Sequence, residues 1–434
     1  MTFYIKTFGC QMNVSDSEKM RHLLEEKGLT AAGDPARADL IIINSCAVRA
    51  RPQEKIFSYA GRFPQAKKLV IAGCVAQAEK EAIFARKARV DYLVGTHQFY
   101  RIGEIVDEMR SSRRPGMAVG FSRRWQELVP DPRARASAVT GYVSIMEGCD
   151  NFCSYCIVPF TRGREKHRPM AAILREAEQL AAGGFQEIVL LGQNVNHWQE
   201  PGGGERFPGL LRRLARLPVP WIRFITSYPG YHEPELVEVM ADHRNLARHI
   251  HFPAQSGSTR ILRKMDRDYS RAGYLKIIRA FRRAMPEMKF SSDFIVGFPG
   301  ESERDFQLTL SLLDEVEYES VFSFIYSPRP HTRASAWNPE LPSALARERL
   351  IALQEKQARI QLKNNRRLLG ETLTILVSGK HPKKAGEMIG RSESQRVVNF
   401  ASRTPVGGFA RVRITGAGPH SLRGEEIPPT AHER

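Results

Sequence analysis

Cysteine is scarce in this 434-residue chain, with six in all: Cys10, Cys46, Cys74, Cys149, Cys153 and Cys156. Three disulfides would account for them. But the chain opens on Met1-Thr2-Phe3-Tyr4-Ile5-Lys6, with no basic stretch running into an apolar core, so no secretory signal is read and a cytoplasmic location is expected. There thiols stay reduced, and metal or redox chemistry is the better expectation. Long apolar runs are also missing. Leu40–Ile43 and Ile188–Leu191 are among the longest, far short of the ~18 residues of a membrane helix, so no membrane partner is expected. Acidic residues are few beside basic ones, 47 against 65, which leaves a net charge of +18 and a pI near 9.8. That balance suits an anionic partner, nucleic acid foremost, although a basic solubilising surface explains it as well. No P-loop pattern is present, so nucleotide hydrolysis has no support. What remains is an ordinary globular composition, 42% hydrophobic and 26% charged. Its length suggests roughly two to four domains.

The first hundred residues alternate short apolar runs with helical patterns. Phe3–Phe8, Leu40–Asn44, Leu69–Ala72 and Val90–Val94 read as buried parallel strands, and Ser17–Lys27 and Glu79–Lys87 as helices. Ser15 and Asp16 offer an N-cap to the first helix and Gly28 its stop. This is a doubly wound α/β pattern, in which ligands gather at the carboxyl ends of the strands. Cys10, Cys46 and Cys74 each follow a predicted strand, so three thiols distant in sequence should converge. Three buried structural thiols are the blander reading. Residues 113–137, rich in Arg and Pro, read as a linker or as an extended segment packed on a neighbour.

From Gly141 the alternation restarts. Strands are expected at Tyr142–Met146, Glu187–Leu191, Ile222–Thr226, His249–Phe252, Phe290–Val296 and Ser320–Tyr326, with helices such as Ala171–Ala182, Pro208–Leu217 and Arg304–Glu317 between them. Six strand–helix units make an open, partial (βα)6 barrel, with its site at the strand ends. Ala344–Leu369 reads as one basic amphipathic helix. Leu373–Val377, Met388–Gly390, Arg396–Phe400 and Ala410–Thr415 then suggest a small β-barrel, with a frayed tail from Gly424.

The strongest motif is Cys149-Asp150-Asn151-Phe152-Cys153-Ser154-Tyr155-Cys156, a CxxxCxxC run after the first strand of the partial barrel. Three thiolates so spaced can hold a cubane 4Fe–4S cluster by three of its irons and leave the fourth open. The spacing resembles that of radical S-adenosylmethionine enzymes. In those, the methionine amino and carboxylate groups bind the open iron, and the reduced cluster cleaves the sulfonium to a 5′-deoxyadenosyl radical. The competing reading is a zinc knuckle with His167 as fourth ligand, but zinc sites usually pair their ligands as CxxC…CxxC or CxxC…HxxxH. Strand-end groups are candidates for the cofactor: Tyr155 for the adenine, Gly192 and Gln193 for the methionyl or ribose part, Ser256 and Asp293 as polar partners. Each has a plain alternative, as core aromatic, strand-end turn or helix cap. Lys380, Lys383, Lys384, Arg391 and Arg396 are candidate phosphate contacts, and Phe400 a base-stacking ring; a solvated basic face and a barrel-core aromatic are the alternatives. Arg162 and Arg164 either face substrate or brace the cluster loop.

These segments together resemble the methylthiotransferase family over almost the whole chain. The likeness rests on Thr7-Phe8-Gly9-Cys10-Gln11-Met12-Asn13, Asn44-Ser45-Cys46-Ala47-Val48-Arg49, Ala72-Gly73-Cys74, Met146-Glu147-Gly148-Cys149 through Glu165, Leu191-Gly192-Gln193-Asn194-Val195-Asn196 and Phe324-Ile325-Tyr326-Ser327-Pro328-Arg329-Pro330. It implies four parts: an N-terminal methylthiotransferase domain (1–112), a linker (113–137), a radical S-adenosylmethionine core (138–366) and an RNA-binding TRAM barrel (367–430). It also implies two 4Fe–4S clusters, one on Cys149, Cys153 and Cys156 and an auxiliary one on Cys10, Cys46 and Cys74. Two S-adenosylmethionine molecules would serve each turnover, one giving a methyl to sulfur on the auxiliary cluster and one the radical. The implied substrate is N(6)-isopentenyladenosine beside the anticodon of tRNA, modified at carbon 2. That carbon resists acid–base chemistry, which explains the need for a radical. The base must leave the anticodon stack to be reached. A reductant such as flavodoxin or ferredoxin is expected, the sulfur donor is unidentified, and the chain is expected to be a monomer.

Departures are few. Ser45 replaces the more usual Thr, Asn13-Val14-Ser15-Asp16 has a variable centre, His331 stands where Gly is common, and Tyr228-Pro229-Gly230 replaces Ser-His-Pro. Rival substrates within the family are threonylcarbamoyladenosine in tRNA and a ribosomal-protein aspartate. Enzymes for these usually carry Gly-Cys-Lys-Val-Asn and Gly-Cys-Pro-Lys-Asn where this chain has Gly9-Cys10-Gln11-Met12-Asn13. A non-enzymatic rival is an RNA-binding iron–sulfur redox sensor.

Overall fold

The computed structural model describes residues 1–48, 50–64, 66–86, 89–112, 114–337 and 341–428, with the side chains of 50–54 left aside. Arg49 of the second cysteine segment, Lys87 of the expected second helix, Arg113 of the linker and residues 429–430 of the expected last domain lie outside the described residues.

Strands β1 (Thr2–Phe8), β2 (Thr30–Ala31), β3 (Leu40–Ser45), β4 (Lys68–Gly73), β5 (Tyr92–Val94) and β6 (Gly116–Ala118) form one parallel sheet, ordered β2-β1-β3-β4-β5-β6. Helices α1 (Gln11–Glu26), α2 (Ala50–Ala60), α3 (Cys74–Glu79) and α4 (Ile102–Ser111) accompany it. The runs Leu40–Ile43 and Leu69–Ala72 are apolar throughout because both faces are covered. Leu24, Ile102 and Ile105 of α1 and α4 pack on Leu40, Ile42 and Val70; Ile56 and Val75 of α2 and α3 pack on Ile41, Ile43 and Ile71.

Two helix starts differ from the sequence expectation. α1 begins at Gln11, not Ser17, and its N-cap is Cys10, not Ser15 or Asp16. Asn13 Oδ1 accepts the Cys10 N–H at 3.3 Å, so the turn closes early. Ser15 and Asp16 are instead buried inside the helix against the core domain. The helix expected over Glu79–Lys87 starts instead at Cys74, as α3 directly off β4, and passes into a 3₁₀ turn at Lys80–Ile83. The segment read as a linker is packed: Gly116–Ala118 adds the sixth strand, and Arg135 is buried.

The core begins with β7 (Thr140–Ser144), a short antiparallel pair β8 (Met146–Glu147) and β9 (Lys166–His167), and α5 (Val158–Arg162) between the last two. It continues α6 (Met170–Ala182), β10 (Glu187–Leu191), α7 (Phe207–Leu214), β11 (Trp221–Phe224), α8 (Pro234–Asp242), β12 (His249–His251), α9 (Thr259–Lys264), α10 (Arg271–Ala284), β13 (Lys289–Val296), α11 (Glu303–Val316) and β14 (Ser320–Ile325). The ladders run β7-β10-β11 and β12-β13-β14, all parallel. Between β11 and β12 the arc is carried by Ile222, whose N–H donates to Asn245 O (2.8 Å) and whose carbonyl accepts from Ala247 N–H (3.0 Å). The six-stranded open barrel thus holds, as two triplets joined by a backbone clasp. α12 (Ser343–Arg366) packs along β14, with Leu353 and Ile360 buried and Gln357 Nε2 donating to Tyr318 O at 2.9 Å.

The last unit is a closed barrel of five strands: β15 (Thr372–Lys380), β16 (Glu387–Ser392), β17 (Val397–Ala401), β18 (Phe409–Ala417) and β19 (Leu422–Glu426). Four were expected, and a frayed tail from Gly424. That glycine sits in β19, where a Cβ would lie 2.4 Å from Val412 Cγ1; the close approach of two strands is why a side-chain pattern did not mark it. The barrel docks where the core strands begin. Trp221 packs edge-on against Phe409, Gln395 Nε2 donates to Glu187 Oε1 (3.3 Å), and Arg396 pairs with Glu319 (2.5 Å). The N-terminal sheet sits at the other end, over the strand termini that carry the CxxxCxxC loop.

Candidate active site

Convergence of the dispersed cysteines follows from register. Phe8 pairs with Ser45, and Ser45 with Gly73, so the residues after β1, β3 and β4 leave the sheet side by side. Cys10 is exposed; Cys46 and Cys74 are buried. Buried amides fix the three segments to one another: Asn13 Nδ2 donates to Asn44 Oδ1 (3.2 Å), and Asn44 Nδ2 to Asn13 O (2.8 Å). Gly73 precedes Cys74 at φ +86°, and a Cβ there would stand 2.3 Å from Asn44 Oδ1. A hydrogen bond from Cys46 is the largest influence on Cys10, drawing its thiol down to about 6 against the effect of burial. Arg162 and the backbone at the start of α1 help. The same bond pushes Cys46 up, and burial pushes Cys74 up. The pair therefore gives up one proton readily and holds the second.

The contiguous cysteines sit on a loop folded back on α5 and β9. Gly148 adopts φ +86°, where a Cβ would meet Arg164 O at 2.1 Å, and its N–H donates to Gln193 Oε1 at 2.5 Å. Phe152, between the first two cysteines, has φ +46°, a left-handed conformation rare outside glycine and common at functional sites. Asn194 Nδ2 donates to Cys149 Sγ (3.1 Å), and Arg267 Nη1 to Cys153 Sγ (3.7 Å). Burial pushes the Cys149 thiol to about 11 and Cys156 higher still. No disulfide joins any of the six.

The two thiol groups are tied through α5, which follows Cys156 directly. Its Arg162 is buried, with Nη2 at 2.6 Å from Asp16 Oδ2 of α1 and Nη1 at 3.3 Å from Glu147 Oε1. The Arg162 charge also works against the upward push of burial on the Cys74 thiol. Thr96 Oγ1 donates to Thr161 O at 2.6 Å, and Ser15 meets Ser144 at 3.3 Å. Met12, two residues past Cys10, packs on Val189 and Leu191 of β10. Arg162 thus braces rather than faces substrate. Arg164 is exposed, 4.9 Å above the Phe152 ring and paired with Asp150.

Other sequence candidates fall differently. Tyr155 lies beside Arg267, which donates to its hydroxyl at 3.5 Å. Gly192 is pressed against Met146, 2.4 Å from where its Cβ would be. Ser256 is buried and tied to Ser258 N–H (3.2 Å) and Thr309 Oγ1 (3.5 Å), holding a strand-end turn. Asp293 has Oδ2 3.5 Å from His251 Nε2, while Oδ1 is buried without a hydrogen-bond partner. His167 groups with Glu165 and His197, their ligand-type atoms within 4.8 Å of one another, and no cysteine takes part. His167 Nδ1 accepts from Gln199 N–H (3.2 Å), which places the proton of a neutral ring on Nε2, facing Glu165. Burial alone would raise Glu165, but His197 (2.6 Å) and Asn194 (3.0 Å) hold it below its usual value. Glu165 thus joins His197 to Asn194, with His167 Nε2 3.8 Å from its carboxylate.

On the barrel, Lys380, Lys383, Lys384 and Arg391 are exposed. Lys384 pairs with Glu387 (3.0 Å), and Arg391 donates to Gln395 Oε1 (2.9 Å). Arg396 does not join them: it is clamped on buried Glu319 as a docking contact. Phe400 is 2% exposed, a core ring and no stacking platform. Sequence reading gave no role to Arg267 or to Asn13 and Asn44. A lone arginine in a loop carries no local signal, whereas the amides stood inside quoted motifs.

Comparison with known proteins agrees with this architecture. Family models match as Uncharacterized protein family UPF0004 over residues 2–95, the Radical SAM superfamily over 143–313 and the TRAM domain over 366–427. A solved radical S-adenosylmethionine methyltransferase, TsrM from Kitasatospora setae, shares the fold with a TM-score of 0.56. It is 15% identical, over 77% of this chain and 74% of that one. The fold and thiol loop thus define an α/β radical SAM protein with flanking domains. Among full-length relatives, the tRNA-2-methylthio-N(6)-dimethylallyladenosine synthase of Geobacter sulfurreducens is 42% identical over 98% of this chain and 97% of its own. That of Zymomonas mobilis is 39% identical over 98% and 96%. The chain belongs to the family of these synthases.

Proposed function

We propose that this protein is a radical SAM methylthiotransferase that places a methylthio group on carbon 2 of N(6)-isopentenyladenosine next to the anticodon of tRNA. The observation that carries the reading is the pair of separate three-thiol groups, free of disulfides and braced against each other, in a chain similar along its length to synthases of that product. Each donor set suits a 4Fe–4S cluster held by three thiolates, since each offers three cysteines. Cys149, Cys153 and Cys156 would hold the cluster that binds and reduces S-adenosylmethionine; Cys10, Cys46 and Cys74 would hold the auxiliary one.

When bound, the clusters and S-adenosylmethionine supply the radical and the sulfur. The chain's residues do the rest. Asn194 and Gln193 fix the loop around Cys149. Tyr155 of the cysteine loop and Asp293 of β13 would meet cofactor or base. Met12 brings the Cys10 end of α1 onto the inner wall of the core, so a base inside the barrel arc would lie between the two thiol groups. Lys380, Lys383, Lys384 and Arg391 would contact RNA phosphates, and a flavodoxin- or ferredoxin-type donor would supply electrons. Among the described residues no helix is long and apolar enough to cross a membrane.

The test is mass analysis of tRNA from a strain lacking the gene. Loss of the methylthio-isopentenyl nucleoside, with accumulation of its unthiolated precursor, is the expected result. An intact nucleoside alongside an unmodified ribosomal-protein aspartate would overturn it.

A further inference from the structure

Every other fully enclosed arginine of the core and its contacts has an acid. Arg135 meets Glu18 and Glu176, Arg162 meets Asp16 and Glu147, Arg168 meets Glu127 and Glu176, Arg223 meets Glu187, Arg248 meets Glu287, and Arg349 meets Glu301. Arg267 is the exception. It is 8% exposed, and among the described residues no carboxylate makes an ion pair with it. Its guanidinium lies 4.3 Å from the Tyr228 ring centre and 5.0 Å from that of Tyr269. Nε donates to the Tyr269 hydroxyl (2.9 Å), Nη2 to Pro253 O (3.0 Å), and Nη1 to the Tyr155 hydroxyl (3.5 Å) and Cys153 Sγ (3.7 Å).

The carbonyl, phenols and ring faces satisfy its N–H groups but bring no net negative charge. A guanidinium cannot neutralise itself by losing a proton, so enclosing it without an anion is costly. Of the groups it touches, the thiol of Cys153 is the one that metal binding makes anionic.

We propose that Arg267 is the counter-cation of the Cys149–Cys153–Cys156 site, a positioning residue that offsets the charge of the thiolate-held cluster and favours its reduced form. This rests on the reading that these cysteines hold a 4Fe–4S cluster. The sign is fixed by electrostatics: a cation beside the cluster stabilises the state with one more electron, and its removal lowers the potential.

The test uses the full chain, anaerobically reconstituted, as wild type, Arg267→Lys and Arg267→Met. Each is titrated with a one-electron reductant and followed by electron paramagnetic resonance, with iron per chain and S-adenosylmethionine affinity measured alongside. The cluster in question is the one whose signal changes on adding S-adenosylmethionine. Arg267→Met should lower its reduced-to-oxidised ratio at fixed potential by about tenfold, which for one electron is about 59 mV. Arg267→Lys should recover most of this, and the Cys10–Cys46–Cys74 cluster should not move. If Arg267→Met loses both clusters by misfolding, the lysine variant decides: it must keep the wild-type ratio to within a few-fold while Arg267→Gln, the uncharged polar variant, shows the drop. An unchanged ratio in Met and Gln overturns the proposal. A loss of S-adenosylmethionine affinity at unchanged ratio also overturns it, and assigns Arg267 to the cofactor's carboxylate instead. If wild type holds no cluster at Cys149, Cys153 and Cys156, the reading of the site fails before the arginine is reached.

Discussion

The two thiol groups contrast in how the chain builds them. Cys149, Cys153 and Cys156 share one loop, shaped by the left-handed Gly148 and Phe152 and edged by Asn194 and Arg267. Cys10, Cys46 and Cys74 come from three strands and are set by sheet register and by the Asn13–Asn44 amide pair. The first is a local device that any competent strand end can carry. The second exists only when the whole sheet is in register, because a one-residue slip would turn each thiol to the other face. A local site should therefore survive damage to its surroundings better than a dispersed one.

The sharpest way to break the comparison is to remove one cysteine from each group. Cys149→Ala and Cys10→Ala should each abolish methylthiolation, while each purified protein keeps about half of the wild-type iron and sulfide, four irons per surviving cluster. Iron lost completely from either variant would mean the sites are not independent. Next in size is the tie between them. Arg162→Met leaves the Asp16 carboxylate buried without its partner, while Glu147 keeps His97 and Lys166, and should cost ~3–5 kcal/mol in urea unfolding. The iron of the dispersed group should fall more than that of the loop, because Arg162 holds Asp16 of α1, the helix that Cys10 caps.

A smaller effect is expected from acid. Burial would raise the Glu147 carboxyl, but His97, Lys166 and Arg162 together hold it well below the usual carboxylate range. Its folded pKa is thus the depressed one. The stabilisation is complete above the unfolded value of about 4.5 and is lost as pH falls through the folded value. Urea midpoints should be level from neutral pH to about pH 5 and drop below about pH 4, with Glu147→Gln lowering the plateau and flattening that limb. The smallest effect belongs to the far end of the molecule. Lys380→Ala with Lys383→Ala should weaken tRNA binding several-fold and lower the slope of log affinity against log salt by about two, leaving both clusters untouched.

Much of this was legible in the sequence because the relevant signals are short-ranged. CxxxCxxC is a spacing, and the strand runs at Leu40, Leu69, Glu187 and Phe290 are local, so both the loop site and the α/β order could be read. Cys10, Cys46 and Cys74 could be grouped because parallel strands align their carboxyl ends. What stayed hidden depends on distant partners. Arg396 looks like any barrel arginine until Glu319, 77 residues away, is placed beside it. Phe400 reads as exposed or buried with equal ease until the barrel closes. The start of α1 turned on Asn13 reaching back to Cys10, and the fifth barrel strand carried glycine where a side-chain pattern would have shown it.

Cys10 alone of the six thiols is exposed, and it is also the one drawn down to about 6. A cysteine on the exposed rim of its site, with its thiol drawn down, is the first to meet peroxide or an alkylating reagent. Air damage to the metal-free protein should therefore begin at residue 10 and spare the enclosed loop, so that brief labelling with iodoacetamide marks the N-terminal sheet before any part of the core.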